Sequence, residues 1–316
     1  MQPIKNLMIT GANRGIGKET AKQAAALERI EKIYLACRNP EKAQEAKTSL
    51  EESTGKKIFE VITLDVSDLA SVREAVKKFN GQLDALVLNA GGLGGSQPFK
   101  KNEYGVTSMF ASNVLGHFLL VEELMQAKKL KGVVLYSGSE ASRGFLKGKI
   151  ATPDLSEGSV EVFKSIANGE YFEDPIPNKA YGYVKLTATL AMAALSQKYS
   201  SIKFITMSPG ATETTSFADN LFPLLKRFFK SFAIPYALPL IGVVHRVDKA
   251  AARYIEGITN TQLKSGHFYA SKPHALTGPI VDQKDIFPIF NDRRLQENAY
   301  QAIWSFLKNE MDSLNK

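Results

Sequence analysis

The stretch Thr10-Gly11-Ala12-Asn13-Arg14-Gly15-Ile16-Gly17 decides the fold, because it joins a strand-like segment to a helix-like one. Glycine is needed here since the turn is tight and the backbone must come close to a bound pyrophosphate. Amide groups at the start of the following helix then bind the anion without a side-chain charge. A glycine-rich turn without a ligand is the alternative, but the position between a first strand and a helix favours a dinucleotide site.

Strand-like and helix-like segments alternate over the first two hundred of the 316 residues. The strand-like runs are Lys5–Thr10, Lys32–Cys37, Ile58–Leu64, Ala85–Leu88, Gly132–Tyr136 and Ile202–Met207. The helical patterns between them are Gly15–Leu27, Glu41–Glu51, Leu69–Phe79 and Ala180–Lys198. Continuous apolar runs are typical of parallel strands buried on both faces. The pattern therefore predicts a single α/β domain over residues 1–316, a doubly wound Rossmann-type sheet that is mostly parallel, with helices on both faces.

Two stretches interrupt this alternation. Residues 144–178 are rich in Gly, Ser, Pro and acidic residues, and residues 216–244 are rich in Phe, Leu, Pro and Lys. Long irregular insertions in a compact domain are usually functional. We interpret 216–244 as a C-terminal apolar lid over a hydrophobic substrate. Two alternatives stay open for it: a helix that rests on a membrane surface, and ordinary packing against the domain.

Composition narrows the class of protein. Hydrophobic residues make up 44% and charged residues 23%, which is ordinary for a soluble globular protein. The single cysteine, Cys37, excludes an internal disulfide and a multi-cysteine metal site, and it favours a reducing cytoplasmic location. We expect neither a secretory signal nor a transmembrane helix, because no apolar run reaches 18 residues. Membrane association through 216–244 is the alternative location.

The formal net charge is +8. A basic protein can favour nucleic acid, anionic lipid or anionic small molecules. The lysines and arginines are scattered, and no block of five like charges occurs, so we expect no nucleic-acid partner. A positive field also suits a phosphorylated cofactor.

The G-x-x-x-G-x-G spacing of the first stretch resembles the T-G-x-x-x-G-x-G turn of the short-chain dehydrogenase/reductase family. Further family motifs follow in order over residues 4–214: Leu64-Asp65-Val66, Asn89-Ala90-Gly91, the Y-x-x-x-K of Tyr181 to Lys185, and the P-G-x-x-x-T of Pro209 to Thr214. The resemblance implies a nicotinamide dinucleotide. The residues it assigns to cofactor binding are Gly11, Asn13, Arg14, Gly15, Ile16, Gly17, Arg38, Asp65, Val66, Asn89, Ala90, Gly91, Tyr181, Lys185, Pro209, Gly210, Thr212 and Thr214.

The second strand indicates which dinucleotide is preferred. NAD-preferring enzymes usually carry an acidic residue there, which binds the ribose 2′-hydroxyl. Here the strand ends Ala36-Cys37-Arg38, and an arginine would instead pair with a 2′-phosphate. Arg14 adds a second positive charge nearby. We therefore predict NADP(H), with a solvated surface role for Arg38 as the alternative.

Tyr181 and Lys185 are the predicted proton-transfer pair. Residues four apart on a helix share one face, so both side chains can reach one site. Reduction of a carbonyl needs a hydride from the cofactor and a proton from the protein. A phenol has an ordinary pKa near 10, and a nearby ammonium is expected to lower it. Tyr183 is a weaker candidate, since Thr187 stands where its lysine would be.

The resemblance implies two more catalytic residues. A serine just past the fifth strand binds the substrate oxygen, and the register of Val133 to Ser139 favours Ser137 over Ser139. Asn113 matches a helical asparagine whose backbone carbonyl, in relatives, holds a water that links the lysine to solvent. His117 is expected to pack or to form a hydrogen bond, without a catalytic role. No metal site is predicted.

The sequence thus predicts an NADP(H)-dependent oxidoreductase that interconverts a carbonyl and an alcohol on a hydrophobic small molecule. The long serine-to-tyrosine gap is similar to that of retinol dehydrogenases, protochlorophyllide reductases and monomeric carbonyl reductases, so we expect a monomer. Three alternatives stay open: a C=C reductase like protochlorophyllide reductase, a membrane-associated lipid or retinoid enzyme, and a cofactor-binding sensor without turnover.

Overall fold

Eight strands form one sheet in the computed structural model, which describes residues 3–144, 152–155, 157–212, 244 and 246–314, with side chains up to residue 308. The strands are β1 (Asn6–Thr10), β2 (Lys32–Cys37), β3 (Phe59–Thr63), β4 (Leu83–Leu88), β5 (Leu130–Ser137), β6 (Ile202–Met207), β7 (His267–Ser271) and β8 (Ile280–Asp282). The first six lie where the apolar runs predicted them.

The order of the strands in the sheet is β3-β2-β1-β4-β5-β6-β7-β8. All neighbours are parallel except β7 and β8, which are antiparallel. The chain reverses its direction of travel across the sheet between β1 and β4, and ligands of open α/β sheets bind at such a switch point, beyond the carboxyl ends of the strands. The predicted Rossmann-type fold is confirmed.

Helices cover both faces of this sheet. They are α1 (Gly15–Ala24), α2 (Pro40–Thr54), α3 (Leu69–Lys78), α4 (Gly116–Gln126), α5 (Val160–Asn168), α6 (Pro177–Lys198), α7 (Val247–Thr259) and α8 (Arg293–Leu314). One buried apolar cluster joins the sheet to α1, α2 and α7, and a second joins it to α3, α4, α5, α6 and α8. Burial on both faces explains why the strands read as continuous apolar runs.

The entry into α4 is irregular. A helical turn over Ser108–Phe110 leads into a π-helical segment over Ala111–Leu115, and the α-helix follows without a break. π-Helical segments are rare and frequently lie at functional sites. This one contains Asn113. The helix also lies very close to the third strand's exit, because a Cβ at Gly116 would be 1.8 Å from the Val66 carbonyl oxygen.

The interpretation of residues 144–178 as wholly irregular is wrong, because α5 lies within them. Ser159 caps this helix by accepting a hydrogen bond from the Val162 amide. Its buried residues Phe163, Ile166 and Ala167 recur at helical spacing and face the core. The predicted lid at 216–244 lies outside the described residues, apart from Val244.

Helix α6 is enclosed by its neighbours. It packs against both α5 and α8, and nearly all of its residues from Gly182 to Leu195 are buried. At its end, buried Glu122 of α4 accepts hydrogen bonds from Lys198, Tyr199 and Tyr300, which ties α8 to the domain. Among the helices described, none is both long and apolar enough to cross a membrane.

Candidate active site

The glycine turn has the geometry that close approach of a pyrophosphate requires. Gly11 and Gly15 have φ of 67° and 54°, in the left-handed region that favours glycine. A Cβ at Gly17 would lie 2.6 Å from the Gly11 carbonyl oxygen and from Asn89 Nδ2. A Cβ at Gly92, by contrast, would meet nothing within 4 Å, so there is open space beside the turn. Helix α1 begins directly after this turn, and a helix N-terminus is suited to bind a dinucleotide phosphate.

The predicted adenine end lies at the carboxyl ends of β2 and β3. Arg14 and Arg38 are both exposed, and both follow elements that end at this edge of the sheet. Cys37 is buried between them, and its thiol receives the Ala12 and Asn13 amides, although burial has the larger effect and raises its pKa. The Asp65 carboxylate accepts the amide and hydroxyl of Ser67, so its local turn already uses one of its oxygens.

Asn89 and Ala90 fix the exit of β4 against the glycine turn. Both of their amides donate to Thr10 Oγ1 at 2.9 Å. The Asn89 side-chain amide donates to the Thr10 carbonyl oxygen at 2.9 Å. The side chain of Asn113 holds the next residues, because its Nδ2 donates to the Gly92 carbonyl and its Oδ1 accepts the Gly92 amide. The predicted Asn89-Ala90-Gly91 turn therefore has a structural role in shaping this edge.

Lys185 is buried under the end of β5 and is 2% exposed. Its ammonium donates to the Ser137 carbonyl oxygen at 2.9 Å and to the Tyr136 hydroxyl at 3.2 Å. It also lies 5.5 Å from the centre of the Tyr181 ring. Because burial disfavours the charged form, the pKa of Lys185 falls from its ordinary value to about 7.

Tyr181 lies on α6 beside Ser139, whose side chain is near enough to interact with the phenol. Burial raises the pKa of Tyr181 above its ordinary value, and the nearby Glu140 carboxylate raises it further, while the interaction with Ser139 lowers it. The pKa of this phenol in the protein alone is therefore raised, whereas the sequence predicted a lowered value. The cause is loss of solvent around the phenol, which has the largest effect.

Ser137 is not the serine that the structure brings to Tyr181. Neighbouring residues of a strand point to opposite faces, and Tyr136 points toward α6 while Ser137 points toward α7. Ser137 Oγ instead lies 2.5 Å from the hydroxyl of Tyr254. Ser139 is the serine next to Tyr181. Because Ser137 pairs with Tyr254, Ser139 is the candidate catalytic serine in place of the predicted Ser137.

Gly138 explains the unusual Ser-Gly-Ser sequence. A Cβ at this position would lie 2.8 Å from Thr206 Cγ2 and 2.9 Å from Phe268 Cε2. Those strand side chains cannot easily move, so a second consecutive serine would not fit. Ser139 then caps the short helix Glu140–Arg143 by accepting the Ala141 amide at 3.2 Å.

Tyr183 points away from the predicted site. Its ring packs against Tyr171 and Phe172, and its hydroxyl accepts the Asp154 amide at 3.3 Å. It is therefore enclosed by the segment that precedes α6. This contact distinguishes it from Tyr181, which faces Ser139.

The Asn113 carbonyl oxygen accepts hydrogen bonds from two side chains. The Tyr136 hydroxyl donates to it at 3.0 Å, and His117 Nδ1 lies 3.2 Å from it. His117 Nε2 lies 3.0 Å from Thr10 Oγ1. Burial lowers the pKa of His117 to about 3, so this ring is neutral at physiological pH. As expected, His117 forms hydrogen bonds in the interior.

The end of β6 carries the predicted nicotinamide turn. Pro209 is half-buried, and Gly210 and Thr212 are buried, whereas Thr214 lies outside the described residues. Glu140 holds this turn from below, because its carboxylate accepts the Ser208 hydroxyl and the Ser271 amide. Arg253 of α7 lies 3.7 Å from the same carboxylate and donates to the Ser208 carbonyl.

Four side chains that contact residues of this site were not predicted from the sequence. These are Tyr136, Glu140, Arg253 and Tyr254, all of them buried. The acidic residue at 140 was a detectable signal, because a carboxylate directly after a buried strand rarely lacks a partner. Tyr136 gave no such signal, since an aromatic residue in a strand reads as ordinary core. Among the described residues, no three His, Cys, Asp or Glu side chains are arranged to hold a metal ion.

Comparisons with known proteins find similar chains. The family profile described as short chain dehydrogenase matches residues 5–150. Human retinol dehydrogenase 11 is 39% identical over 130 residues, which are 40% of this chain and 40% of that protein. The chloroplastic short-chain dehydrogenase TIC 32 B of Brassica napus is 31% identical over 220 residues, 66% of this chain and 64% of that protein. The match therefore spans less than half of the retinol dehydrogenase and just under two thirds of the chloroplast protein.

Solved structures share the fold. Salutaridine reductase from Papaver somniferum has a TM-score of 0.59 at 20% identity and covers 84% of this chain and 100% of its own. The NADPH-bound carbonyl reductase from chicken fatty liver has a TM-score of 0.56 at 18% identity, with coverage of 84% and 96%. The profile match over residues 5–150, these relatives and the ordered motifs on one Rossmann-type sheet support a relationship to the short-chain dehydrogenase/reductase family.

Proposed function

We propose that this protein is an NADP(H)-dependent oxidoreductase that interconverts a carbonyl and an alcohol on a hydrophobic small molecule. One observation carries the proposal: the Tyr181 phenol, the Ser139 hydroxyl and the buried Lys185 ammonium converge at the end of β5, beside the glycine turn. These are the groups that a carbonyl needs as it gains a hydride and a proton.

The residues divide the chemistry between them. When bound, the nicotinamide supplies or accepts the hydride. Ser139 and Tyr181 donate hydrogen bonds to the substrate oxygen, which stabilises the negative charge that develops there during reduction. Tyr181 then releases its proton to that oxygen. Lys185 provides a positive charge near the resulting phenolate.

A raised pKa in the protein alone is compatible with this role. Burial keeps the phenol protonated before reduction, and Lys185 favours the phenolate as negative charge develops on it. The pKa of about 7 for Lys185 means that the ammonium and the neutral amine are both populated at neutral pH. Proton transfer is most efficient when the groups involved titrate near the working pH.

The substrate class rests on relatives and composition. The matching relatives include retinol dehydrogenases, named for an apolar alcohol. The phenylalanine- and leucine-rich stretch at 216–244 supports the same class from its sequence. Contact of that stretch with a membrane surface, and the cytoplasmic location, stay predictions.

Two further predictions about partners stay proposals. Helix α6 is covered by α5 and α8 of the same chain, which supports a monomer, since relatives that form tetramers use this helix for contact with a partner. The scattered basic residues support a small anionic cofactor rather than nucleic acid.

The function is tested by NADPH oxidation with a panel of aldehydes, ketones, retinoids, steroids and quinones. We expect turnover with an apolar carbonyl compound. Tyr181→Phe should lower kcat by roughly 10²-fold or more, the usual scale for loss of a general acid. Tyr183→Phe is the matched control on the same helix and should keep most of the activity. Full activity in Tyr181→Phe would move the proton donor elsewhere.

The cofactor preference is tested by fluorescence titration with NADPH and NADH. We expect NADPH to bind at least about tenfold more tightly, since a charge-assisted pair with a phosphate contributes energy on that scale. Arg38→Ala should remove most of this difference. Arg29→Ala removes the same charge before β2, at the opposite end of that strand, and should leave the ratio unchanged. Equal affinities in the unmodified protein would contradict the assignment.

The serine assignment is tested by a pair of variants. Ser139→Ala should lower kcat/KM by roughly 10²-fold, because it removes a hydrogen bond to the developing oxyanion. Ser137→Ala removes a hydroxyl that pairs with Tyr254 and should have a much smaller effect. The reverse ranking, measured under the same conditions, would restore Ser137 to the catalytic position.

Lys185 gives a pH-dependent stability with a defined sign. The unfolded chain keeps a lysine proton up to about pH 10.5, whereas the folded chain releases it at about 7. Between these pH values the unfolded state binds more protons, so the free energy of unfolding rises with pH, by at most about 1.4 kcal/mol per pH unit. Lys185→Met lacks this gain. In urea unfolding of both proteins, the free energy of unfolding of the variant should therefore fall further below that of the unmodified protein as the pH rises from 7 to 10. A constant difference would contradict a buried, titrating lysine.

A further inference from the structure

We propose that Tyr136 is a positioning residue for Lys185, and that with His117 it closes the buried side of the proton-transfer pair to solvent. The proposal rests on the proposed function for its catalytic meaning. The hydrogen bonds on which it rests join groups of this chain alone.

The first step is the position of the Tyr136 hydroxyl. It accepts a hydrogen bond from the Lys185 ammonium at 3.2 Å and donates one to the Asn113 carbonyl oxygen at 3.0 Å. The ring is fully buried, and the ammonium lies 4.7 Å from its centre, so the ring face also attracts the charge. A fixed phenol thus spans the gap between lysine and carbonyl, the position that the family resemblance assigns to a water.

The second step is the proton on His117. Thr10 Oγ1 already accepts two backbone amides, from Asn89 and Ala90, so its own hydrogen must point elsewhere. His117 Nε2 lies 3.0 Å away, whereas the Val87 carbonyl is at 3.5 Å. Thr10 therefore donates to Nε2. In a neutral ring the proton is then on Nδ1, which donates to the Asn113 carbonyl.

The third step counts acceptor sites. A carbonyl oxygen has two lone pairs, and on Asn113 Tyr136 and His117 fill both. A carbonyl has no proton to pass on, so a proton that left Tyr136 could not be replaced from this side. The arrangement therefore holds Lys185 in place without relaying protons. The proton that Tyr181 gives to the substrate oxygen must then be replaced from solvent by a route that does not pass through Asn113.

The π-helical segment makes this arrangement possible. In a regular α-helix the Asn113 carbonyl would accept the amide of His117, four residues later. The wider turn over Ala111–Leu115 lies at this point of the helix, and the His117 imidazole reaches the Asn113 carbonyl oxygen. Tyr136 meets the same oxygen from the sheet.

The central experiment is NMR titration of the cofactor-free chain with ¹³C- and ¹⁵N-labelled lysine side chains. Loss of one signal in Lys185→Met identifies the residue. In Tyr136→Phe we expect the Lys185 pKa to fall by about one unit, because the ammonium loses one of its two acceptors. Tyr269→Phe is the matched control, because it also removes a buried strand phenol. Among the described residues, this hydroxyl accepts the Lys264 backbone amide and no lysine side chain. An unchanged Lys185 pKa in Tyr136→Phe overturns the proposal.

A second measurement needs no variant and does not depend on folding of one. The ¹⁵N shifts of the His117 ring should show a proton on Nδ1 and none on Nε2, without change from pH 5 to pH 8. A proton on Nε2 would leave one lone pair of the Asn113 carbonyl open to water. It would overturn the proposal that Tyr136 and His117 close this side of the site to solvent.

The link to catalysis is tested with the best substrate of the NADPH oxidation panel. In Tyr136→Phe the high-pH limb of kcat/KM for reduction should move to lower pH by the same amount as the Lys185 pKa, and in Tyr269→Phe it should stay in place. A limb that does not move overturns the positioning role. Absence of turnover with every compound would instead contradict the proposed function, while both NMR measurements would still decide the structural part.

Discussion

A buried ammonium is the constraint on which the rest of this structure depends. Lys185 is enclosed at the end of β5, and such a charge is tolerated only where oxygen acceptors meet it. Strand β5 provides two such acceptors for the ammonium, the Ser137 carbonyl oxygen and the Tyr136 hydroxyl. Burial from all sides requires that α6 be covered along its length, and α5 and α8 provide that cover. The lowered pKa of Lys185 is the consequence of this enclosure.

The same constraint connects the lysine to the cofactor turn. From Lys185 the hydrogen bonds run through Tyr136 to the Asn113 carbonyl, then through His117 to Thr10. Thr10 ends β1 and receives the amides at the exit of β4. The proton-transfer pair and the phosphate turn lie on opposite sides of the topological switch point, and this fully buried chain sets their separation. Any change in the polar interior is therefore expected to affect cofactor binding and proton transfer together.

Much of this architecture could be predicted from the sequence, because it depends on local patterns. Apolar runs identified six strands, and the glycine turn identified the binding edge. Helical spacing placed Tyr181 and Lys185 together. The serine could not be assigned this way, since a strand buried on both faces has no polar alternation to show which side Ser137 takes. Helix α5 was missed because turn-forming residues surround a short amphipathic segment. The raised pKa of Tyr181 depends on burial, which no local pattern reveals.

The sequence around Tyr136 is typical of a buried strand, yet its hydroxyl accepts a hydrogen bond from the lysine of the candidate site. Its ring packs among apolar side chains of β5 and α4, which satisfies the hydrophobic pattern of the strand. Its hydroxyl then needs a partner, because an unpaired polar group in that interior is costly. Lys185 has the complementary need for an acceptor, and the Asn113 carbonyl can accept a donor. One phenol meets all three requirements at once. A water in the same place would meet them too, but it could exchange with solvent, whereas a phenol fixed by its ring cannot.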